Sequence, residues 1–220
     1  MSVGFAFLHI ISFEMVLVAG QTPCKLSEIA VQQNFDIKKF MGVWYEIEWI
    51  SPTYNDGGDA WVNYYHVYRE GEYGVVTGYY SGKDPKSEQC FFGGHALLKT
   101  ETDPAKLTLY QEGRKVQNDY WILETDYTNY AVAYSCIERN SSHSDTCKTS
   151  RSWMWGRGTS LPADVITSTR TKFANLCMNM TNILVTDFVG DGSWTPHARF
   201  TTRFNAIVCI VCALVLAVQH

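Results

Sequence analysis

The sequence predicts an all-β domain, an antiparallel barrel or sandwich, with one helix near its C-terminal end. Seven or eight short segments alternate apolar and polar residues, the period of a strand with two unlike faces. Turn-forming residues separate these segments, and one later run has helical spacing. Aromatic residues make up 14% of the chain and charged residues 18%, so the composition favours one packed globular domain over a disordered chain.

Residues 1–20 predict a secretory signal peptide. An apolar core runs from Phe5 to Val18, and small residues close it at Gly20. A buried structural helix is the alternative, but it would end directly before Pro23 and Cys24 with nothing to pack against. We therefore expect the mature domain to begin at residue 21.

The stretch Asn34–Ile50 predicts a helical turn followed by the first strand. Apolar residues in its first half are spaced like one face of a helical turn, which Gly42 breaks. From Trp44 onward, large apolar side chains alternate with carboxylates. A glycine shortly before a large aromatic residue suggests that the backbone approaches closely while the indole fills the space beneath it.

Further strands follow at close spacing and flank turn signals, after a turn-rich loop over residues 51–60. The expected strands are Trp61–Tyr68, Tyr73–Tyr80, Cys90–Lys99, Lys106–Gln111, Asp119–Thr125, Tyr130–Glu138 and a last short one, Ile183–Phe188.

The expected helix is Pro162–Cys177. Its proline stands in the first turn beside Asp164, which suits the positive end of the helix dipole. A largely apolar stripe follows at helical spacing, formed by Ile166, Thr169, Phe173, Leu176 and Cys177.

Three ordered motifs carry a resemblance to a known family. They are GVWYEIEWI, the hairpin YWILETDYTNYAVAYSC, and the arginine that closes WMWGR. The stretch Cys24–Asp187 resembles the lipocalins, in particular the apolipoprotein D-like and Lazarillo-like branch. The resemblance implies an eight-stranded up-and-down antiparallel barrel, with the helix packed outside and residues 51–60 over the open mouth. It also implies that the barrel holds one small hydrophobic ligand, such as a retinoid, fatty acid or sterol.

The resemblance implies two sets of site residues. On alternation and by likeness to the retinol-binding branch, seven side chains are expected to point inward toward a ligand: Leu107, Leu109, Tyr120, Ile122, Ala133, Trp153 and Trp155. A structural motif at the closed end comprises Gly42, Trp44, Thr125, Asp126, Tyr127 and Arg157. Within it the arginine lies across the tryptophan, a cation–π contact that seals the barrel floor.

The cysteines of a secreted chain predict disulfides, but the residues alone leave the pairing open. The apolipoprotein D-like pattern implies Cys24–Cys136. The retinol-binding pattern implies Cys24–Cys177 and Cys136–Cys147. We prefer the second pattern because Cys147 otherwise has no role, and it leaves Cys90 without a partner. No C-x-x-C pair lies within the domain, so we expect no zinc site.

Other function classes fit the sequence less well. Lysine and arginine are not clustered and the net charge is −4, which argues against nucleic-acid binding. No GxSxG, HExxH or phosphate-binding glycine loop is present, so we expect neither catalysis nor a cofactor. An unpaired Cys90 would leave a thiol-dependent isomerase as a remote alternative. A second alternative is a cell-surface recognition protein that binds a protein partner through its outer surface.

The C-terminal segment and two sequons predict modifications. Asn140 and Asn179 stand in N-glycosylation triplets. Ala206–Val218 is an apolar run preceded by a mostly polar spacer and by a cluster of small residues, the pattern of a glycosylphosphatidylinositol (GPI) signal. Attachment is expected at Asp191, with Gly190 and Ser193 as alternatives, so residues 21–191 would form the mature lipocalin domain. Residues 192–220 would then be a propeptide that is removed, leaving the protein tethered to the plasma membrane.

Overall fold

The computed structural model describes residues 24–52, 61–71, 75–99, 103–111, 116–143, 145–176 and 178–189. Nine strands lie within these ranges. They are β1 (Gly42–Ile50), β2 (Val62–Glu70), β3 (Val76–Lys83), β4 (Cys90–Leu98), β5 (Lys106–Gln111), β6 (Val116–Thr125), β7 (Tyr130–Arg139), β8 (Cys147–Gly156) and β9 (Ile183–Val185).

The first eight strands form a closed antiparallel ring. Each of β2 to β7 pairs with the next strand along the chain, and β1 completes the ring by pairing with both β8 and β2. This arrangement confirms the eight-stranded up-and-down barrel. Because every strand in the ring has two neighbours, no long backbone edge is left unpaired.

Strand β1 changes both its pairing and its inner face along its length. Its first half, from Gly42 to Tyr45, pairs with β2, whereas Glu48 to Ile50 pair with β9 instead. The register against β8 shifts between Glu46 and Glu48, which marks a β-bulge. The bulge places these two carboxylates on opposite faces of the strand, with consequences for both faces of the barrel wall.

Two α-helices flank the ring. The short helix α1 (Ile37–Phe40) begins after Asp36, whose carboxylate accepts hydrogen bonds from the backbone N–H groups of the first turn. Helix α2 (Ala163–Asn175) packs on the outside of the barrel, as expected, and is slightly shorter than the predicted range. Thr169 and Phe173 are its buried residues.

Two ion pairs fix helix α2 to the barrel wall. Arg170 donates to both carboxylate oxygens of Glu48, at 3.0 and 2.5 Å, and Lys172 pairs with Glu124. Glu48 is 3% exposed, so its charge depends on the helix for a partner. The outward-turned carboxylate of the bulge therefore docks the helix.

Several earlier expectations fall outside the described ranges. The signal segment, most of the loop over the mouth, Cys177, and the C-terminal segment with Asp191 all lie there. They stay predictions. The last strand is shorter than expected, because it ends at Val185 and an isolated bridge between Val62 and Asp187 follows it.

Candidate ligand-binding site

A cavity of about 360 Å³ lies inside the barrel and draws its walls from all eight strands of the ring. Much of the wall is aromatic, from Trp49, Trp61, Tyr64, Phe91 and Trp153. Its volume is near the lower end of the range of about 300–1,000 Å³ that small-molecule pockets occupy. The cavity therefore has room for one small molecule.

Of the seven side chains expected to line a ligand site, the structure places three in the cavity wall: Leu109, Tyr120 and Trp153. The other four do not line the cavity; Leu107, Ile122, Ala133 and Trp155 are at most 1% exposed and belong to the hydrophobic core. Alternation indicates which side chains share a face of a strand. It carries no information on depth, and the lower part of the barrel is filled by packed side chains.

Polar residues that sequence reasoning did not single out line the same cavity. Glu46, His66 and His95 are 1%, 4% and 9% exposed, and all three lie in its wall. Glu46 is on the inner face because it stands two residues after the buried Trp44 and before the bulge. That parity was a signal in the sequence, since residues two apart share a face of a strand.

These polar groups form a hydrogen-bonded chain. The Tyr120 and Tyr68 hydroxyl oxygens are 2.6 Å apart, and the Tyr68 hydroxyl lies 3.4 Å from His66 Nδ1. On the other side of the ring, His66 Nε2 lies 3.3 Å from Glu46 Oε2. The chain therefore runs from β6 through β2 to β1 across the barrel interior.

Burial disfavours the charged forms of these groups. Desolvation raises the pKa of Glu46 well above its ordinary value of 4.5. Desolvation also lowers the pKa of His66 to about 3, and it does the same for His95, where the neighbouring His66 adds to the effect. The Tyr68 and Tyr120 hydroxyls have raised pKa values for the same reason.

Inward-facing glycines on β3 and β4 make room for the rings around the cavity. A Cβ atom at Gly78 would lie 2.8 Å from the Tyr68 ring and would overlap His95. A Cβ atom at Gly93 would overlap the Tyr80 ring. The absence of side chains at these two positions therefore leaves room for large rings from the neighbouring strands.

The closed end is held by Arg157. Its guanidinium carbon lies 3.6 Å from the centre of the Trp44 ring, as the resemblance implied. The group donates to the carbonyl oxygens of Val43 at 2.7 Å and Tyr127 at 3.0 Å. It also donates to the carbonyl oxygens at positions 39–41. Burial lowers its pKa to about 10, which still leaves it cationic at neutral pH.

The other motif residues shape the turns around this arginine. Gly42 has φ +100°, and a Cβ atom there would lie 3.3 Å from Arg157 Nη1. Asp126 Oδ1 accepts from the backbone N–H groups of residues 128–130, while Thr125 Oγ1 donates to the Tyr130 carbonyl. The Tyr127 hydroxyl accepts from the Asp36 N–H and so connects this corner to helix α1.

The structure joins Cys136 to Cys147 across the β7–β8 hairpin, with their Cα atoms 5.7 Å apart. This bond contradicts the alternative pairing Cys24–Cys136. Cys24 is also disulfide-bonded, and its Sγ lies 3.5 Å from the Asn175 carbonyl oxygen at the end of α2. This location is compatible with the Cys24–Cys177 pairing, which stays a prediction because Cys177 is outside the described ranges.

Cys90 is disulfide-bonded as well, so the expectation that it is unpaired is wrong. In this structure the thiol that the isomerase alternative required at Cys90 is not available.

Two further properties concern the described part of the chain. No group of three or more histidine, cysteine or acidic side chains there is arranged to hold a metal ion. Within the same ranges, no helix combines the length and the apolar character needed to cross a bilayer.

Comparison with known proteins gives a consistent result. Residues 41–189 match the model of the lipocalin and cytosolic fatty-acid binding protein family. Mouse apolipoprotein D is 36% identical, over 62% of this chain and 68% of its own length. Chicken retinol-binding protein 4 is 28% identical, over 73% and 83%. Among solved structures, lobster apocrustacyanin A1 superposes with a TM-score of 0.59 at 20% identity, over 76% of this chain and 91% of its own, a likeness of fold alone.

Proposed function

The chain belongs to the lipocalin family, and from this premise we propose that it holds one small hydrophobic ligand in its barrel at the cell surface. The observation that carries the proposal is the cavity of about 360 Å³ with its aromatic wall. Retinoids, fatty acids and sterols are the candidate classes of ligand. Leu109, Tyr120 and Trp153 are the expected ligand contacts that remain, because they line this cavity.

Fluorescence titration tests the binding proposal. Trp49, Trp61 and Trp153 line the cavity, so an apolar ligand should quench tryptophan emission on entry. Ser135→Phe would place a ring in the cavity from β7 and should abolish quenching while the far-ultraviolet circular dichroism stays that of the parent. Trp121→Phe is the matched control, since Trp121 contacts Lys106 and Tyr134 and is not part of the cavity wall.

Two results of this titration would contradict the proposal. If no retinoid, fatty acid or sterol quenches the parent protein, the barrel is not a carrier of these ligands. Quenching that persists unchanged in Ser135→Phe would place the ligand outside the cavity.

The extracellular, tethered state is the second part of the proposal. The signal pattern of residues 1–20 and the GPI pattern around Asp191 support it. Disulfides support it too, because they persist in oxidising compartments. Phosphatidylinositol-specific phospholipase C should release the protein from intact cells. Retention on the membrane, with residues beyond Asn205 detected by mass spectrometry, would contradict the tether.

Glycosylation at Asn140 and Asn179 belongs to the same proposal. Asn179 is exposed and Asn140 is partly exposed, and each side chain accepts a hydrogen bond from the hydroxyl group two residues later. Treatment with an N-glycosidase should increase gel mobility. Asn140→Gln and Asn179→Gln should each remove one glycan and so account for part of that increase. Unchanged mobility of the parent would exclude both sites.

Recognition of a protein partner through the outer surface stays the alternative function. Its test is whether protein released from one set of cells binds to the surface of other cells.

A further inference from the structure

The inner end of the cavity is polar, although aromatic rings surround it. Glu46, His66, His95 and Tyr120 line it, with exposures from 1% to 9%, and Tyr68 lies behind Tyr120. They come from four different strands whose inward faces meet here. A carrier that recognised only apolar bulk would have no need of so many buried polar groups, which are costly to desolvate.

Two polar atoms of these lining residues have no hydrogen-bond partner among the described residues. They are Glu46 Oε1 and His95 Nε2, each with almost no accessible surface. Glu46 Oε2 already contacts His66, so Oε1 is the part of the carboxyl group that remains unused. Buried polar groups in folded proteins are nearly always hydrogen-bonded, so these atoms point to a missing partner in the cavity.

We propose that Glu46 and His95 bind an uncharged hydroxyl or carbonyl group that the ligand carries at the inner end of its apolar body. The inference rests on the proposed function, because it requires that a ligand occupies the barrel. It adds two points to that function: the ligand carries an uncharged oxygen group, and the ligand is oriented with its apolar body toward the mouth and this oxygen toward the closed end.

The hydrogen-bonded chain suits a group that either donates or accepts. If Tyr120 donates to Tyr68, Tyr68 to His66, and His66 to Glu46 Oε2, then a protonated Oε1 is left to donate. If every bond runs the other way, Glu46 donates through Oε2 and Oε1 accepts. A hydroxyl group matches both orders, and a carbonyl oxygen matches the first.

The charges of the lining exclude a carboxylate at the inner end. Burial lowers the pKa of His66 and of His95 to about 3, so both imidazoles are uncharged at neutral pH and neither supplies a cation to pair with an anion. The cationic lining residue is Arg151, which is paired across the sheet with Ser135. Glu46 is paired with Trp155, four residues further along β8 toward the closed end.

A matched series of ligands tests the proposal. Dodecanol, dodecane and dodecanoate share one apolar body and differ in the terminal group, and each would displace a fluorescent apolar probe from the full protein at neutral pH. The parent should bind dodecanol about tenfold more tightly than dodecane, the factor expected when buried polar atoms gain a partner. Dodecanoate should bind more weakly than dodecanol.

Variants then assign the preference to the inner end. Glu46→Leu should abolish the preference for dodecanol over dodecane, while Glu46→Gln should keep much of the preference through its amide. Trp121→Phe is the matched control and should leave the preference unchanged, because Trp121 contacts Lys106 and Tyr134 and is not part of the cavity wall. An equal preference in the parent and in Glu46→Leu would overturn the proposal.

A measurement on the parent protein covers the case in which the Glu46 variants do not fold. The carbonyl stretch of bound 2-dodecanone should move to lower wavenumber than in hexane, because a hydrogen bond weakens the C=O bond. An unshifted band would overturn the inference. If no member of the series displaces the probe, the proposed function fails; if all bind without preference for the alcohol, only this inference fails.

Discussion

Arg157 is a single residue that holds together parts of the chain that are distant in sequence. Its guanidinium group contacts the Trp44 ring and carbonyl oxygens on both sides of Gly42, as well as that of Tyr127 in the turn between β6 and β7. None of these atoms lines the cavity. Its contribution is therefore to stability, and its effect on the ligand is indirect.

Replacing Arg157 by alanine should lower the free energy of unfolding by on the order of 3 kcal/mol, because a cation–π contact and several charged hydrogen bonds are lost. Urea unfolding followed by tryptophan fluorescence measures this loss. Arg157→Lys is the control and should lose less, since it keeps the charge but not the forked donors. Ligand affinity of the folded variant should change less than stability does, and equal stability of variant and parent would contradict this role.

Single residues also show where sequence reasoning reached its limit in the site. Trp44 and Arg157 belong to a motif with fixed spacing, so their contact could be predicted by resemblance. Glu46 shares the parity of Trp44 but was not singled out, because a carboxylate in an alternating strand is normally assigned to the solvent face. Its hydrogen-bond partner in the interior, His66, comes from another strand, and the local sequence of β1 carries no information about that partner.

At the scale of elements, strands β3 and β4 depend on glycines that face inward. Gly93 and Gly94 are neighbours on β4, but their side-chain positions point to opposite faces of the wall. A Cβ atom at Gly93 would overlap the Tyr80 ring, whereas one at Gly94 would find its nearest neighbour 3.5 Å away. The pair therefore separates the effect of space inside the barrel from that of glycine flexibility.

Gly93→Ala should cost about 1–3 kcal/mol of stability and weaken ligand binding, because the added methyl group displaces a ring of the cavity wall. Gly94→Ala should be neutral or slightly stabilising, since it restricts the unfolded chain without a clash. Thermal unfolding and ligand titration of both variants test this. Equal effects of the two substitutions would show that Gly93 is not needed for room.

Helix α2 depends on Glu48 and Arg170. Arg170→Ala should lower stability by about 2 kcal/mol, because it leaves a buried carboxylate without its cation, although the half-exposed arginine moderates the loss. Arg170→Ala combined with Glu48→Gln should recover part of this loss, since the uncharged amide is easier to bury. Denaturant unfolding of both variants gives the comparison, and a double variant less stable than the single one would contradict the argument.

The elements also differ in how well their sequences predicted them. Strand β7 is rich in apolar residues, most of which are buried, and its predicted range nearly matches the observed one. The first half of β8, Cys147–Ser152, was not singled out, because lysine, threonine, serine and arginine dominate it. Its pairing with β7 comes from the hairpin and the disulfide, which are tertiary constraints that override local propensity.

For the whole molecule, the buried histidines make stability depend on pH. The unfolded chain protonates His66 and His95 as pH falls through about 6.5, whereas the folded barrel resists protonation until about 3. Stability contributed by these residues is thus fully present above pH 6.5 and is lost between pH 6.5 and 3. Glu46 acts in the opposite direction, because the folded state keeps a proton that the unfolded state releases above pH 4.5.

Two histidines outweigh one carboxyl group, so the free energy of unfolding should fall as pH is lowered from 6.5 to 4.5. Each histidine contributes a slope of up to about 1.4 kcal/mol per pH unit. In His95→Gln the slope should decrease by about one histidine's share, as urea unfolding at a series of pH values would show. The same slope in variant and parent would mean that His95 does not titrate in the unfolding transition.

The fold of the whole molecule was predictable in class from its strands, but the closure of the ring was not. Alternation and turns allowed either a barrel or a sandwich, and only the family resemblance selected the barrel. Closure depends on β1 pairing with β8, two segments far apart in the chain. No local pattern in either segment encodes that pairing, which is why the motif evidence was needed.

This closure has a consequence for the newly made chain. Tyr45 pairs with Gly156, so β1 leaves the ribosome long before the strand that completes its pairing exists. At about 5–20 residues per second, the roughly 110 intervening residues take on the order of 5–20 seconds to synthesise. Throughout that interval one side of β1, with Trp44 and Trp49, is open to the wrong partner. The unpaired side of β1 must therefore be kept from wrong partners during those seconds. This requirement ends when the ring closes.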